Sequence, residues 1–421
     1  MARKMKDSGI EWIGEIPEGW EITKLKYLST FPIEKNAHTD SPYIGLENIE
    51  SWTGKYVSSD SQYDKSQALA FFENNILFGK LRPYLAKVFC ASNDGCCSSE
   101  FCILSFSSSV NIRYFWNLLI SPTFIDHVTK STYGTKMPRA NTDFIKNICV
   151  PVPPRIEQDR IALYLDATSA KIDSLISETR SSIEEYKKLK QAVITQAVTK
   201  GVHGNREMKN SGVAWIGEIP KEWGRTKIKM IASFFNGDRT SRYPQPSDFV
   251  DSGVAFLTSR NIDSDEVDLS DTKYITEDKY KSLSGAKIQI DDIIFCLRGS
   301  VGKCAINRTL SCGTVASSLA AIRPKDIYPK YLLYFLLSNI ASTQTTIFMN
   351  GTCAANLSAE NVGNYYITLP ISTEQKEIAD YLDAKCAEID KLIAKKEQLV
   401  KELESYKKSL IYEVVTGKRE V

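Results

Sequence analysis

The chain has 421 residues, 43% hydrophobic and 25% charged, an ordinary folded composition in a chain too long for one core. Its 53 basic and 51 acidic residues leave a formal net charge of +2, so bulk charge neither marks nor excludes a nucleic-acid partner. No apolar run approaches the roughly 20 residues of a membrane helix, and Met1-Ala2-Arg3-Lys4-Met5-Lys6-Asp7 opens no secretory leader, so a cytoplasmic protein is expected.

The ten cysteines contain no C-x-x-C pair: Cys96 and Cys97 are adjacent, and Cys149, Cys353 and Cys386 stand alone. None of the three histidines, His38, His127 and His203, lies at ligand spacing from a cysteine pair. Free, mostly buried thiols in a reducing compartment are expected, and no metal site.

Taken in order, the chain first shows Ser8-Gly9-Ile10-Glu11-Trp12-Ile13-Gly14-Glu15-Ile16-Pro17, ending at Trp20. This block returns as Ser211-Gly212-Val213-Ala214-Trp215-Ile216-Gly217-Glu218-Ile219-Pro220, ending at Trp223, with nine of thirteen positions identical at an offset of 203. Residues 21–75 follow, with almost nothing in common with residues 224–292. Short β-rich runs predict strands at Tyr43–Leu46, Asn75–Phe78 and Phe101–Leu104, and Arg113–Ile120 reads as a helix. A long helix is predicted after Pro153-Pro154, where proline is tolerated in a first turn, and Gly201 stops it.

In the second half, strands are predicted at Val254–Leu257, Asp292–Phe295 and Ala320–Ile322, with a helix at Tyr331–Leu337. The segment Ile378–Ile393 then repeats Ile161–Ile176, eleven of sixteen positions being identical at an offset of 217. The same offset carries Gly134-Thr135 onto Gly351-Thr352, Pro153 onto Pro370 and Val198-Thr199 onto Val415-Thr416. The change of offset between the two blocks falls in the divergent segments. Ser372-Thr373-Glu374-Gln375 has the form of a capping box, and Gly417 follows the last apolar turn. Leu382, Ile389, Leu403 and Leu410 recur every seven residues, interrupted by Lys396, with Leu392, Leu399 and Tyr406 as companions. Each helix either packs on its own domain or pairs with the other. Two matching seams in one chain favour an antiparallel pair.

The chain is therefore expected to be α+β: two domains joined by two long helices in an antiparallel coiled coil, with a pseudo-two-fold internal repeat. The expected boundaries are 1–153 for the first domain, 154–203 for the first helix, 204–370 for the second domain and 371–421 for the second helix.

Catalytic signatures are missing. There is no G-x-x-x-x-G-K-[S/T] loop, since Gly299-Ser300-Val301-Gly302-Lys303 is too short. There is no Asn-Pro-Pro-Tyr methyltransferase motif, no Gly-x-Ser-x-Gly elbow and no His-Glu-x-x-His helix. The divergent inserts instead place cations and hydroxyls around glycine turns. Gly79–Lys87 carries Lys80, Arg82, Tyr84 and Lys87, and Arg298, Ser300 and Lys303 occupy the matching turn of the second copy. Lys136 and Arg139 follow one repeated Gly-Thr, Asn356 follows the other, and Arg239, Arg242 and Arg260 are further candidates. Arg and Lys contact phosphates or guanine, while Asn, Ser and Thr read base edges. These residues are the candidate DNA contacts. A coiled-coil scaffold that touches no DNA is the competing reading.

The doubled Trp12-Ile13-Gly14-Glu15-Ile16-Pro17…Trp20 block resembles the specificity subunit of type I restriction–modification enzymes, as do Pro153-Pro154 to Gln158 with Val198-Thr199-Lys200-Gly201 and Leu369-Pro370 to Gln375 with Val415-Thr416-Gly417. The resemblance runs the length of the chain. It implies two target-recognition domains, each reading one half of a split, asymmetric DNA sequence, and a coiled coil setting the gap between the halves. It implies two modification subunits, which bind S-adenosylmethionine and methylate adenine, and restriction subunits that translocate and cut using ATP and Mg. It assigns no cofactor and no catalytic residue to this chain.

Overall fold

A computed structural model describes residues 3–35, 42–59, 66–134, 136–263, 265–349 and 356–421. His38, Thr135, Gly351, Thr352 and Cys353 of the sequence reading lie outside them. In the first copy the strands are β1 (Met5–Asp7), β2 (Glu15–Pro17), β3 (Glu21–Lys24), β4 (Ser29–Thr30), β5 (Tyr43–Ile44) and β6 (Leu69–Phe71). They continue as β7 (Ile76–Gly79), β8 (Val88–Cys90), β9 (Gly95–Cys97), β10 (Phe101–Phe106) and, after helices α1 (Ile112–Leu119), α2 (Pro122–Lys130) and α3 (Thr142–Asn147), β11 (Cys149–Val152). The long helix α4 (Arg155–Lys200) closes this copy.

The strands form a β1–β2 hairpin, a β3–β11 ribbon, a four-stranded sheet β4-β10-β7-β8 and a three-stranded sheet β5-β9-β6. Every residue of β7 is buried, as its uninterrupted apolar run requires of a central strand covered on both faces. Ile44, Phe71, Leu77, Cys97, Phe101 and Ile103 form a core between the two sheets. On the other face, Phe78 meets Phe124 of α2 edge to face at 5.9 Å.

The second copy repeats this plan. Its strands are β12 (Met208–Asn210), β13 (Glu218–Pro220), β14 (Gly224–Lys227), β15 (Ala232–Asn236), β16 (Phe249–Val250), β17 (Val254–Leu257) and β18 (Lys273–Ile275). After α5 (Glu277–Ser282) come β19 (Ile293–Cys296), β20 (Cys304–Ile306), β21 (Gly313–Val315) and β22 (Leu319–Pro324). Helices α6 (Pro329–Leu337), α7 (Asn339–Phe348) and α8 (Ala359–Gly363) lead to β23 (Tyr366–Leu369) and the long helix α9 (Ser372–Val415). The sheet β15-β22-β19-β20 corresponds to β4-β10-β7-β8.

Alternation along β19 shows why this sheet is sandwiched. Ile293 and Phe295 face the core that holds α6 and the long-helix residues Ile194 and Ile378, while Ile294 and Cys296 face a core with Leu257 and Val315.

Strand registers locate the change of offset. It is 203 from β3 to β14, 213 from β5 to β17, 217 from β7 to β19, 218 from β9 to β21 and from β10 to β22, and 217 again from β11 to β23. The second copy thus gains ten residues before β17 and four more before β19.

By its internal contacts the chain divides into one unit of Met1–Arg180 with Glu397–Val421 and another of Ser181–Lys396. Each unit holds part of both long helices. In the first, Lys407 Nζ lies 2.7 Å from Asp173 Oδ1 and Arg180 Nη2 lies 2.7 Å from Glu404 Oε1. In the second, Lys190 pairs with Asp390 at 2.8 Å and Lys396 lies 5.7 Å from the Tyr186 ring centroid. Residue numbers rise on one helix as they fall on the other, so within each unit the pair is antiparallel.

The seam differs from the expected one. Along α9 the inward positions are Leu382, Cys386, Ile389, Ile393, Lys396, Val400, Leu403, Lys407, Leu410 and Val414, in steps of four and three. An offset of 217 maps them onto Leu165, Ser169, Ile172, Ile176, Thr179, Ile183, Tyr186, Lys190, Val193 and Ala197 of α4. Leu392, Leu399 and Tyr406, expected as companions, are instead 36%, 43% and 48% exposed. The companion of each seven-residue position stands four residues on, not three. Lysines fill seam positions because their aliphatic stems pack while the heads of Lys190 and Lys407 reach a carboxylate and that of Lys396 the Tyr186 ring.

The expected capping box is not what holds the start of α9. Gln375 accepts the Tyr328 N–H at 2.8 Å and donates to Pro370 O at 2.9 Å, facing into the domain and not back to Ser372. Gln158 treats Asn111 N–H and Pro153 O in the same way, at 2.8 Å each. Gly201 and Gly417 do end their helices, with φ of 76° and 73°.

Candidate DNA interface

The repeated tryptophans anchor each domain to the start of its own copy's long helix. Trp20 donates its indole N–H to Glu157 at 2.8 Å, and Trp223 does the same to Glu374 at 2.8 Å. Arg3 pairs with Glu157 and Arg206 with Glu374, each guanidinium lying over its tryptophan ring. The motif that marks the repeat is thus a buried clamp. The far end of each long helix docks elsewhere. Tyr114 donates toward Val415 O at 2.9 Å and Pro151 O at 3.1 Å, while Tyr331 donates toward Val198 O at 3.3 Å and Thr368 O at 3.2 Å. Burial raises the pKa of both hydroxyls, keeping them protonated donors. Each unit therefore receives the helix end of the other copy.

On this frame the candidate loops come together in pairs. In the first unit Leu81 forms a β-bridge with Arg139, Arg82 N–H donates to Pro138 O at 2.7 Å, and Ala140 N–H donates to Lys80 O at 2.9 Å. In the second, Arg298 bridges Asn356, and Leu357 N–H donates to Leu297 O at 3.0 Å. An offset of 217 converts one set of contacts into the other. Lys80 N–H also donates to Glu100 O and Leu297 N–H to Ser318 O, at 2.8 Å each. One backbone device thus presents two unrelated sets of side chains.

Arg82 adopts a left-handed conformation (φ 51°) at the head of this turn and is exposed, as are Tyr84 and Lys136. Lys80, Arg82 and Lys136 have no ion-pair partner among the described residues. Lys87 differs from them. Its ammonium turns inward to donate to Leu46 O at 2.6 Å, and burial lowers its pKa. Arg139 is exposed and ion-paired with Glu100, whose second oxygen Oε2 is buried without a hydrogen-bond partner.

In the second unit Arg298 Nε donates to Asn356 Oδ1 at 3.2 Å, and both residues are exposed. Arg239 lies near enough to Arg298 that its pKa falls, first through burial and then through that neighbouring charge. Two adjacent guanidiniums favour an anion between or beside them. Asp238 braces the Arg239 turn. Burial opposes its charge, but hydrogen bonds from Thr240 and Ser284 outweigh that and hold its carboxyl well below the usual range. Arg242 and Ser300 are exposed. Lys303 pairs with Asp263 at 2.7 Å and Arg260 with Asp271 at 3.4 Å.

Glu100, Asp238, Glu157 and Glu374 were not singled out by sequence reasoning. For the last two the signal was available, since each glutamate repeats at the same offset as its helix.

Other features of the described residues supply no reactive chemistry. Burial pushes Cys102 and Cys296 up to about 11, so these thiols stay protonated. A cleft of about 510 Å³ in the first unit holds Asp173, but that carboxylate lies between Lys407 and Lys55, at 2.7 Å and 3.1 Å.

The sequence model of the type I restriction modification DNA specificity domain matches residues 16–185 and again 220–402. The chain belongs to this family. The two matches fall on the two copies, one for each target-recognition domain. The MjaVIII specificity subunit of Methanocaldococcus jannaschii is 24% identical over 421 residues, covering 96% of this chain and 93% of that protein. The EcoBI specificity subunit of Escherichia coli is 25% identical over 294 residues, 67% of this chain and 60% of that one. The HsdS subunit from Thermoanaerobacter tengcongensis shares the fold at a TM-score of 0.51 with 20% identity, over 96% of this chain and 98% of that one. A chain from a type I restriction–modification system, solved to explain complex assembly and conformational transition, does so at a TM-score of 0.75 with 19% identity, over 96% and 99%. As a member of this specificity family the chain recognises DNA sequence and is not itself an enzyme. Among the described residues no helix is long and apolar enough to cross a membrane.

Proposed function

We propose that this chain binds a bipartite, asymmetric DNA target, one half-site per recognition domain, and directs type I modification and restriction subunits to it. The observation that supports this is the repeated loop pair: one hydrogen-bonded frame carrying Leu81, Arg139 and Glu100 in the first copy and Arg298, Asn356 and Ser318 in the second. Unlike side chains on like frames fit unlike half-sites. Lys80, Arg82 and Lys136, which have no ion-pair partner among the described residues, and the Arg239–Arg298 pair supply phosphate and base contacts. Of the remaining candidates, Tyr84, Arg242 and Ser300 are exposed, while Lys87 is held by Leu46 O, Arg260 by Asp271 and Lys303 by Asp263. The working assembly carries two modification subunits and restriction subunits in the cytoplasm. S-adenosylmethionine, ATP and Mg belong to those partners and none to this chain.

The test is a domain exchange. Residues 21–150 are replaced by the equivalent domain of a relative, and methylation is mapped across a genome in cells supplying the modification subunits. One half-site should change while the other stays. A change in both halves refutes independent reading, and binding without sequence preference refutes the recognition role in favour of a protein scaffold.

A further inference from the structure

Arg139 and Asn356 occupy the same place in the two copies. Each is the bridge residue opposite the turn that follows a central strand, each is exposed, and each precedes the residue whose N–H closes the frame, at 2.9 Å and 3.0 Å. Their surroundings differ in a matched way. The first copy sets Arg139 against Glu100, with Leu81 across the bridge, while the second sets Asn356 against Arg298, with Ser318 at the position of Glu100. The arginine has moved from one side of the bridge to the other, and the acid that braced it is absent where it is not needed.

The chemistry of each arrangement is restrictive. Glu100 engages one hydrogen of the Arg139 terminal nitrogen Nη2, leaving the second Nη2 hydrogen beside a neighbouring N–H to form a two-pronged donor. A guanidinium steadied in this way offers a fork that matches O6 and N7 of guanine. In the second copy, the donation from Arg298 Nε requires that the atom it meets be the amide oxygen of Asn356. That fixes the amide: Oδ1 keeps a second lone pair and Nδ2 both hydrogens, the acceptor–donor pair that matches N6 and N7 of adenine.

Resting on the recognition role above, we propose that Arg139 and Asn356 are equivalent specificity-determining residues. Arg139 reads a guanine in one half-site and Asn356 an adenine in the other, with Glu100 and Arg298 as positioning residues.

The experiment uses the full chain with its modification subunits and reads methylated sequences genome-wide for the wild type, Arg139→Asn, Arg139→Gln and Asn356→Arg. The wild type should yield a guanine in the half-site of the first domain and an adenine in that of the second. Arg139→Asn and Arg139→Gln should each change or relax that guanine alone, lowering methylation of the original sequence roughly 5- to 150-fold, the discrimination expected of one bidentate pair. Asn356→Arg should do the same to the adenine and leave the first half-site intact. An unchanged motif in all three variants overturns the assignment. So does a uniform loss over all sequences in variants that melt like the wild type, which marks a structural ion pair. A wild type that methylates without any sequence preference refutes the recognition role itself.

Discussion

Removing the Glu374 carboxylate with Glu374→Ala strips the second-copy clamp of its acceptor. Trp223 is 1% exposed, and its indole N–H loses a 2.8 Å bond in a buried setting. Such an orphaned donor costs about 1–3 kcal/mol. Arg206 keeps Glu222 at 2.8 Å, so its share is smaller, about 0.5–1 kcal/mol. The total, about 1.5–4 kcal/mol, corresponds to a melting shift of roughly 3–16 °C for a unit of this size. Glu157→Ala in the first copy should cost less, about 1–2 kcal/mol, because the Glu157 and Arg3 side chains are 15% and 26% exposed, against 6% and 19% for Glu374 and Arg206. Urea unfolding followed by circular dichroism measures both. Trp223→Phe alone and combined with Glu374→Ala completes a double-mutant cycle, which should show coupling above about 0.5 kcal/mol. A cost below about 1 kcal/mol for Glu374→Ala, or strict additivity in the cycle, would refute the clamp.

Two further outcomes test the frame. Ile389→Ala, inside the helix seam, should cost about 2–5 kcal/mol, whereas Leu399→Ala, 43% exposed, should stay within about 0.5 kcal/mol in the isolated chain; equal costs in denaturant unfolding would return the seam to the three-residue companion. Gly417→Ala should destabilise the first unit more than Gly9→Ala, since both glycines have positive φ but only at Gly417 would a Cβ come within 2.5 Å of Pro17. Differential scanning calorimetry of the two variants checks the order.

The duplication was legible because identical residues recur at fixed spacing, and the long helices because their apolar positions repeat over many turns. The central strands of both copies were legible as apolar runs. The heptad register was not. Leu392 and Leu399 look like seam residues, whereas the true seam includes Lys396, Lys407 and Ser169, whose polarity disguises them. Which cations stand free was hidden for a related reason. Lys87 and Arg82 lie five residues apart on one turn, yet a left-handed backbone at Arg82 leaves its side chain exposed while Lys87 folds back onto Leu46. Such differences arise from pairing across 40 or more residues, which local pattern does not record.

The reciprocal docking of the helix ends has a consequence for biosynthesis. The first recognition domain emerges from the ribosome before the second, but the carbonyl that receives the Tyr114 hydroxyl, Val415 O, is made 301 residues later. The unit of Met1–Arg180 is completed by Glu397–Val421, whereas Ser181–Lys396 is a single continuous stretch. The second domain is therefore able to finish folding before the first. A stop codon at Glu397 removes a part of the first unit while leaving the stretch of the second whole.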